Sequence, residues 1–262
     1  MHIPELAIAA AGLLAAMSFT NVKKDKKTVT QPFETGEFQA ISVSGCLSVE
    51  YGQQPGKTSV TVTAPEKFMK HVEISEKEGT LFISTKNIKK EYPHIKVSVC
   101  SPELYEVKLS GGCNFSTASV KSAGKFNITA SGASDFNAGS VECEDFFVSV
   151  SGAGDFEIDG GLKAKNNAAF EVSGAGDMSI GHTECTDAVM TVSGAGDLSL
   201  EKIDCHTLSA TVNGSGNALL QGSAKKLDYT VSGAGNINAV NLNAKEVNGS
   251  VSGAGKIRLK KH

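Results

Sequence analysis

A six-residue unit, Ser-Gly-Ala-Gly-Asp-Phe at 151–156, returns with small changes at a nearly constant interval. We call the first residue of each unit the repeat mark, and successive marks lie 19 to 22 residues apart. The marks are Ser110, Ser131, Ser151, Ser173, Ser193, Asn213, Ser232 and Ser252. A chain that repeats itself at such a period folds as a stack of equivalent units, each of which contacts its neighbours.

Apolar residues occupy fixed positions relative to each mark. They stand five, three and one residues before it, five and seven residues after it, and in several repeats also ten after it. Around the third mark they are Phe146, Val148, Val150, Phe156 and Ile158. Each repeat therefore has three short strands of period two, which bury their apolar faces only when coils stack about 4.8 Å apart. The sequence predicts an all-β fold, a parallel β-helix of three-strand coils, and the crossover rule for parallel strands predicts a right-handed helix.

The region before the regular repeats also alternates like strands. Residues 33–109 are predicted to form an N-terminal β portion that is less regular, with longer strands and hairpin-like connections, followed by regular repeats over 110–259 and a tail over 260–262. Ser44-Gly45 echoes the repeat mark 66 residues before Ser110. We therefore expect the same structure to begin here, interrupted by longer insertions.

The first eighteen residues have the pattern of a secretory signal. The apolar stretch 6–19 is too short to span a bilayer, and small residues suit cleavage near Phe19. The n-region has no Lys or Arg, which leaves an N-terminal anchor or a misplaced start as alternatives. We predict a signal peptide over 1–18, a basic linker over 19–32, and an exported protein in the periplasm or at the cell surface, with no membrane insertion after signal removal.

Composition narrows the function classes. The net charge is −3, there is no Trp, and aromatic residues make up 6% of the chain, which argues against a nucleic-acid partner. Arg258 is the one arginine, and no nucleophile, phosphate-loop or zinc motif is present. The sequence therefore predicts a protein that is not an enzyme and has no cofactor; a polysaccharide-active enzyme is the outside alternative.

Glycine pairs of the repeated unit are predicted to form structural corners. We expect them to adopt positive φ, while the small residue between them keeps the corner slim enough to stack. They are Gly152, Gly154, Gly174, Gly176, Gly194, Gly196, Gly233, Gly235, Gly253 and Gly255.

The residue after the second glycine is the candidate site. In order, this position holds Asn114, Asp135, Asp155, Asp177, Asp197, Asn217, Asn236 and Lys256. Four stacked carboxylates repel by about 1 kcal/mol per neighbour even in water. Calcium would offset that repulsion, but Asp and Asn also favour tight turns. The appearance of Asn at the same position favours the turn role, with Asp135, Asp155, Asp177 and Asp197 kept as the calcium candidates.

Three cysteines stand eight residues before a repeat mark, where other repeats have alanine. They are Cys143, Cys185 and Cys205, against Ala123, Ala224 and Ala244. This position accepts small inward side chains. Cys185 and Cys205 lie on adjacent coils, so a disulfide and a pair of buried thiols are both compatible with the sequence.

The entry segment Phe38-Gln39-Ala40-Ile41-Ser42-Val43-Ser44-Gly45 and the later Val-Ser-Gly-Ala-Gly repeats resemble the putative auto-transporter adhesin head domain, called the GIN domain. The resemblance covers about residues 33–259. It implies an exported bacterial β-helical protein with a role in adhesion, and it carries over no catalytic residue. Two functions follow as hypotheses: a binding module for a glycan or a surface protein, and a structural spacer of the cell envelope.

Overall fold

The computed structural model describes residues 27–88 and 94–260. Strands make up 67% of it, with one short helix, and they wind into a β-solenoid of about 8 turns. The predicted signal peptide (1–18) and the end of the predicted tail lie outside the described residues. Within the described part of the chain, no helix has the length and apolar character of a membrane span.

The elements follow one another in this order: β1 (Thr28–Phe33), β2 (Ala40–Gly45), β3 (Ser48–Gln53), β4 (Ser59–Pro65), α1 (Glu66–Met69), β5 (Val72–Lys77), β6 (Thr80–Thr85), β7 (Lys96–Ser101), β8 (Glu106–Gly111), β9 (Asn114–Lys121), β10 (Lys125–Ala130), β11 (Asp135–Cys143), β12 (Asp145–Val150), β13 (Phe156–Ala164), β14 (Asn167–Val172), β15 (Met178–Ile180), β16 (Thr183–Glu184), β17 (Asp187–Val192), β18 (Leu198–Val212), β19 (Ala218–Val231), β20 (Asn236–Val251) and β21 (Lys256–Leu259).

The regular repeats form the predicted parallel three-strand coils. In one coil the three strands are separate, as β15, β16 and β17, and each pairs in parallel with strands of the coils before and after it. The pairing register is one repeat, so Phe136 faces Phe156 and Val148 faces Phe170. The stacked coils thereby bury the predicted apolar positions. The right-handed sense of the helix stays a prediction.

The N-terminal portion begins the same solenoid, but its coils are stacked out of chain order. Strand β2 lies between β6 and β8, and β3 lies between β7 and β9, all in parallel. Ser44 pairs with Ser110 and Gly45 with Gly111, which confirms the predicted echo. The coil formed by β6 and β7 is thus inserted on the outer side of the coil formed by β2 and β3.

Antiparallel strands cover the outer end of this first coil. Strand β4 pairs with β7, β1 pairs with β4, and β5 forms a hairpin with β6 through Glu78 and Gly79, which both have positive φ. One of the predicted hairpin-like connections is therefore present, between β5 and β6, whereas β3 pairs with β7 and β9 and β4 with β1 and β7. Two expectations were wrong. Part of the predicted linker over 19–32 is a strand, because residues 28–33 form β1 and pair with β4. The N-terminal strands are also not longer than those of the regular repeats. They have 6–7 residues, whereas β18, β19 and β20 run continuously for 14–16.

A stack of phenylalanines fills one side of the core. The rings of Phe115 and Phe136 are 5.3 Å apart and nearly parallel, and those of Phe136 and Phe156 are 4.8 Å apart. All three side chains are buried. Equivalent positions on neighbouring coils therefore stack like with like, which lets aromatic rings pack face to face at the strand spacing.

Thr183 is a polar residue in the otherwise apolar position ten after the mark. It is fully buried in register between Leu162 and Ile203, and its Oγ1 has no hydrogen-bond partner among the described residues. An unpaired buried hydroxyl is unfavourable, so we expect Thr183→Val to raise the free energy of unfolding by about 1 kcal/mol. Urea unfolding followed by circular dichroism measures this. Thr191→Val, on an outward position of the next strand, is the control, and a loss of stability in Thr183→Val would contradict the prediction.

Candidate functional site

The glycine corners are built by close approach of backbones rather than by left-handed geometry. Of the ten predicted corner glycines, Gly253 has a φ of 106°, and the other nine lie outside the left-handed region, so the expected positive φ was wrong for them. A Cβ added to any of the nine would come within 3.0 Å of a backbone carbonyl oxygen on the preceding coil. Glycine is required at these corners because no space exists for a side chain.

Backbone hydrogen bonds hold neighbouring corners together at this short distance. Ala153 N–H donates to Gly132 O at 2.7 Å, and Ala175 N–H donates to Gly152 O at 2.8 Å. The serine at the mark adds a weaker bond along the stack, since Ser131 Oγ donates to Leu109 O at 3.2 Å. The corners therefore form a continuous column that fixes the side chains that follow them.

The residue after each corner forms what we call the corner ladder, from Asn114 through Asp135, Asp155, Asp177 and Asp197 to Asn217 and Asn236. The backbone N–H of Asp155 donates to Asp135 Oδ1 at 3.0 Å, and that of Asp197 donates to Asp177 Oδ1 at 2.8 Å. At the next coil, Asn217 donates through both its backbone N–H and its Nδ2 to Asp197 Oδ1. Each of the four aspartates thus accepts the backbone N–H of the coil that follows, and Asn217 Oδ1 accepts Asn236 Nδ2 at 3.0 Å.

This ladder explains why both Asp and Asn occupy the position. Both supply an oxygen that accepts a hydrogen bond from the next coil: the aspartates accept a backbone N–H, and Asn217 accepts the amide of Asn236. The donors to the aspartates offset part of the repulsion between carboxylates. The sequence predicted a local turn role, but the side chain bonds to the next coil instead. The ladder is therefore a link between coils as well as an exposed acidic column.

The corner ladder predicts that the hydrogen-bond acceptor at position 197 contributes more to the free energy of unfolding than the negative charge there does. We expect Asp197→Ala to lower the free energy of unfolding by about 1 kcal/mol because Asn217 loses its acceptor, whereas Asp197→Asn should stay within about 0.5 kcal/mol of the parent. Urea unfolding of both variants measures the difference. Glu201→Ala removes another exposed carboxylate, from the strand β18 that follows Asp197, and serves as control. Equal losses in Asp197→Asn and Asp197→Ala would show that the charge is what stabilises.

A groove of about 740 Å³ runs beside the last four members of the corner ladder, from Asp177 to Asn236, and beside Lys256 on the coil that follows. We call it the polar groove. Its floor holds buried apolar side chains, including Met178 and Leu198, and its walls are the column and the outward residues two positions further along each strand. Those outward residues are Ser179, Ser199, Leu219, Asn238 and Arg258. Sequence reasoning missed this second row, although its signal, a polar residue six after most marks, was visible.

The charge of the groove changes along its length. Asp177 and Asp197 line one end, Asn217 and Asn236 the centre, and Lys256 with Arg258 the other end. Beyond the acidic end, Glu157 has a pKa raised above its ordinary value, because Asp159 hydrogen-bonds to it and repels its charge, with smaller contributions from Asp155 and Glu201. The face therefore carries a carboxylate-rich middle and a cationic C-terminal end.

The four calcium candidates lie one coil apart in a single column. Among the described residues, no group of three or more His, Cys, Asp or Glu side chains is placed to hold a metal ion. Each of the four carboxylates already accepts a backbone N–H with its Oδ1. The column can present carboxylate oxygens to a ligand, but it does not converge on a point.

We expect the thermal midpoint of the purified protein to be the same in excess Ca²⁺ and in excess chelator. A ligand that binds the folded state raises the midpoint, so the absence of a shift follows from carboxylates that share no coordination centre. Differential scanning calorimetry makes the measurement, with Mg²⁺ as the control cation. A rise of several degrees with Ca²⁺ alone would contradict the expectation.

The sequence of this chain matches a known protein family over most of its length. The profile of the putative auto-transporter adhesin, head GIN domain matches residues 37–200 and 162–261. The chain belongs to this family. Two overlapping matches on one chain agree with a solenoid in which any run of coils resembles any other. The adhesin-like description of the family is not that of an enzyme, and auto-transporter adhesins are exported proteins.

Solved structures share the fold of this GIN-domain chain. A putative adhesin from Parabacteroides distasonis is 22% identical with a TM-score of 0.82, covering 90% of this chain and 98% of its own. A putative adhesin from Parabacteroides merdae is also 22% identical, with a TM-score of 0.80 and coverage of 90% and 97%. A putative lipid binding protein from Parabacteroides distasonis is 19% identical, with a TM-score of 0.62 and coverage of 89% and 97%. At sequence identities of 19–22%, the structural similarity shows that these proteins share the fold of this chain. No protein of curated function matches the chain.

Proposed function

We propose that this GIN-domain chain is an exported, non-enzymatic binding module of the periplasm or cell surface that presents the polar groove to a glycan. The observation that carries the proposal is the groove itself, which combines carboxylates, amides and hydroxyls in two parallel rows. These groups accept and donate the hydrogen bonds that sugar hydroxyls make. The adhesin-like description of the family supports a binding role.

The regular spacing of the rows supports a chain-like ligand. Neighbouring coils repeat the same side-chain positions at the strand spacing, so a polymer that repeats its own hydroxyls can meet several coils at once. The groove walls carry mainly Asp, Asn, Ser, Lys and Arg, with Leu219 as an apolar member of the outward row. A surface protein is the other ligand class to be tested.

A glycan array with the purified full chain tests the proposal. Ser199→Arg fills the groove from a half-buried outward position, and Thr191→Arg places the same side chain at a similar position on a different strand of the solenoid. We expect binding to fall at least about tenfold in Ser199→Arg and to stay unchanged in Thr191→Arg. Equal binding by both variants, or no bound glycan in the array, would contradict the proposal.

The acidic column is tested separately. If the variant with Asn at positions 135, 155, 177 and 197 keeps its glycan binding, the carboxylate charges are not required and the amides, hydroxyls and cations of the groove carry recognition. If binding is lost while the fold is retained, the carboxylates are part of the site. Release of products from acidic polysaccharides by the parent chain would instead establish an enzyme.

A structural spacer of the envelope is the second candidate function. It is favoured by ion pairs that link successive coils along another corner: Lys121 with Glu142 at 3.1 Å, Lys165 with Glu144 at 3.2 Å, and Lys163 with Glu184 at 3.7 Å. These pairs connect neighbouring coils along the length of the solenoid. Two results together would support this second function: the purified chain binds no glycan or protein, and deletion of its gene changes the integrity of the envelope.

A further inference from the structure

Cys185 and Cys205 occupy the same position on adjacent coils. The residues that precede them, Glu184 and Asp204, pair in parallel register, and Cys185 N–H donates to Asp204 O at 3.1 Å. Neighbouring strands lie about 4.8 Å apart, which is inside the 4.4–6.8 Å range of Cα separations that disulfides span. The register therefore gives the two residues a Cα separation that a disulfide can span.

Both side chains lie at the edge of the core. Cys205 is 5% exposed, and Cys185 is half-buried and packs against the core. A hydrogen bond between the thiols raises the pKa of Cys185, which burial raises further, and the same bond lowers the pKa of Cys205. The partial exposure of Cys185 gives a small oxidant access to the pair.

The three other buried cysteines face residues other than cysteine. Cys143 pairs with Ala164, Cys100 pairs with Ser59, and Cys113 contacts the Ser134 hydroxyl at 3.4 Å. On the far side of the pair, Cys205 faces Ala224. The repeat thus brings two cysteines together at one level of the stack.

We propose that Cys185 and Cys205 form a disulfide between adjacent coils when the protein meets a disulfide oxidant in the exported compartment. One thiolate attacks a sulfur of the oxidant and releases one thiol. The second thiolate then attacks the sulfur of this mixed disulfide, forms the Cys185–Cys205 bond and releases the second thiol. The two cysteines lose two electrons and two protons, and the oxidant gains them.

The bond ties together the two coils that form the acidic end of the polar groove. Asp197 and Leu198 lie in the segment between the two cysteines, and Asp177 and Met178 lie on the preceding corner. A disulfide between these two coils would keep the groove walls at their native spacing when other coils of the solenoid unfold locally. The inference is independent of the ligand that the groove binds.

Oxidised glutathione added to the purified, reduced full chain tests the inference. We expect two of the six cysteines to lose reactivity toward a thiol reagent in denaturant, the intact mass to fall by about 2 Da, and a non-reducing peptide map to link the peptides of Cys185 and Cys205. The thermal midpoint should rise by several degrees, because the bond closes a loop of about 20 residues in the unfolded chain.

Alanine variants provide the matched controls, since Ala164 and Ala224 show that this position accepts alanine. Cys143→Ala should still form the bond, whereas Cys185→Ala and Cys205→Ala should not, and Cys205→Ala should keep a glutathione adduct on Cys185. Six reactive thiols after oxidation of the parent would overturn the inference. A persistent adduct on the parent, or a link to another cysteine, would also overturn it.

Discussion

Gly174→Ala is expected to lower the free energy of unfolding by about 3 kcal/mol or more. A Cβ at this corner would fall within 3.0 Å of Gly152 O. That same oxygen accepts the N–H of Ala175 at 2.8 Å and the N–H of Gly176 at 3.1 Å. The methyl group therefore forces the two coils apart at the point where they are hydrogen-bonded, and urea unfolding followed by circular dichroism measures the loss.

Gly124→Ala is the control for this substitution. Gly124 lies outside the corners, has no atom within 4 Å of an added Cβ, and has a φ outside the left-handed region. We expect its stability to stay within about 0.5 kcal/mol of the parent or to rise slightly, because alanine restricts the unfolded chain more than glycine does. Equal stabilities of Gly174→Ala and Gly124→Ala would show that the corner has room for a side chain.

Phe136→Ala is expected to cost about 3–5 kcal/mol. The ring is 0% exposed and stacks between Phe115 and Phe156, so its removal leaves a cavity that the rigid coils on either side cannot close. Denaturant unfolding gives the value, and a dye that binds exposed apolar surface reports whether the core loosens.

Phe147→Ala is the matched control for the core variant. This side chain points outward from the next strand and is 39% exposed. We expect a loss below about 1 kcal/mol, because little apolar area leaves the core. A loss in Phe136→Ala as small as in Phe147→Ala would mean that the phenylalanine stack contributes little to holding the coils together.

The period predicted the fold in detail over residues 110–259. The positions that alternate before and after each mark, such as Val148 and Phe156, are the ones that the structure buries. This success has a simple cause: strand period and repeat period are both local properties, and a solenoid contact joins a residue to its equivalent about 20 residues away. The echo at Ser44 was readable for the same reason, since it keeps its register with Ser110.

The order of the N-terminal coils was not readable. Strands β6 and β7 pair on the outer side of β2 and β3, although they follow those strands in the chain. Alternation shows that a segment is a strand, but it carries no information on which of several strands it will face. The polar groove was missed in the same way, because it depends on how adjacent coils stand beside one another.

The repeated Ser-Gly-Ala-Gly-Asp unit shows where the division lies. Its sequence determined that the chain turns there once per coil and that Asp and Asn are interchangeable after the turn. The tertiary structure decided why: a backbone carbonyl of the preceding coil fills the space where a Cβ would be, and Asp197 Oδ1 accepts the N–H of Asn217 on the next coil. Both reasons are distances between coils, and such distances exist only after stacking has brought residues 20 positions apart into contact.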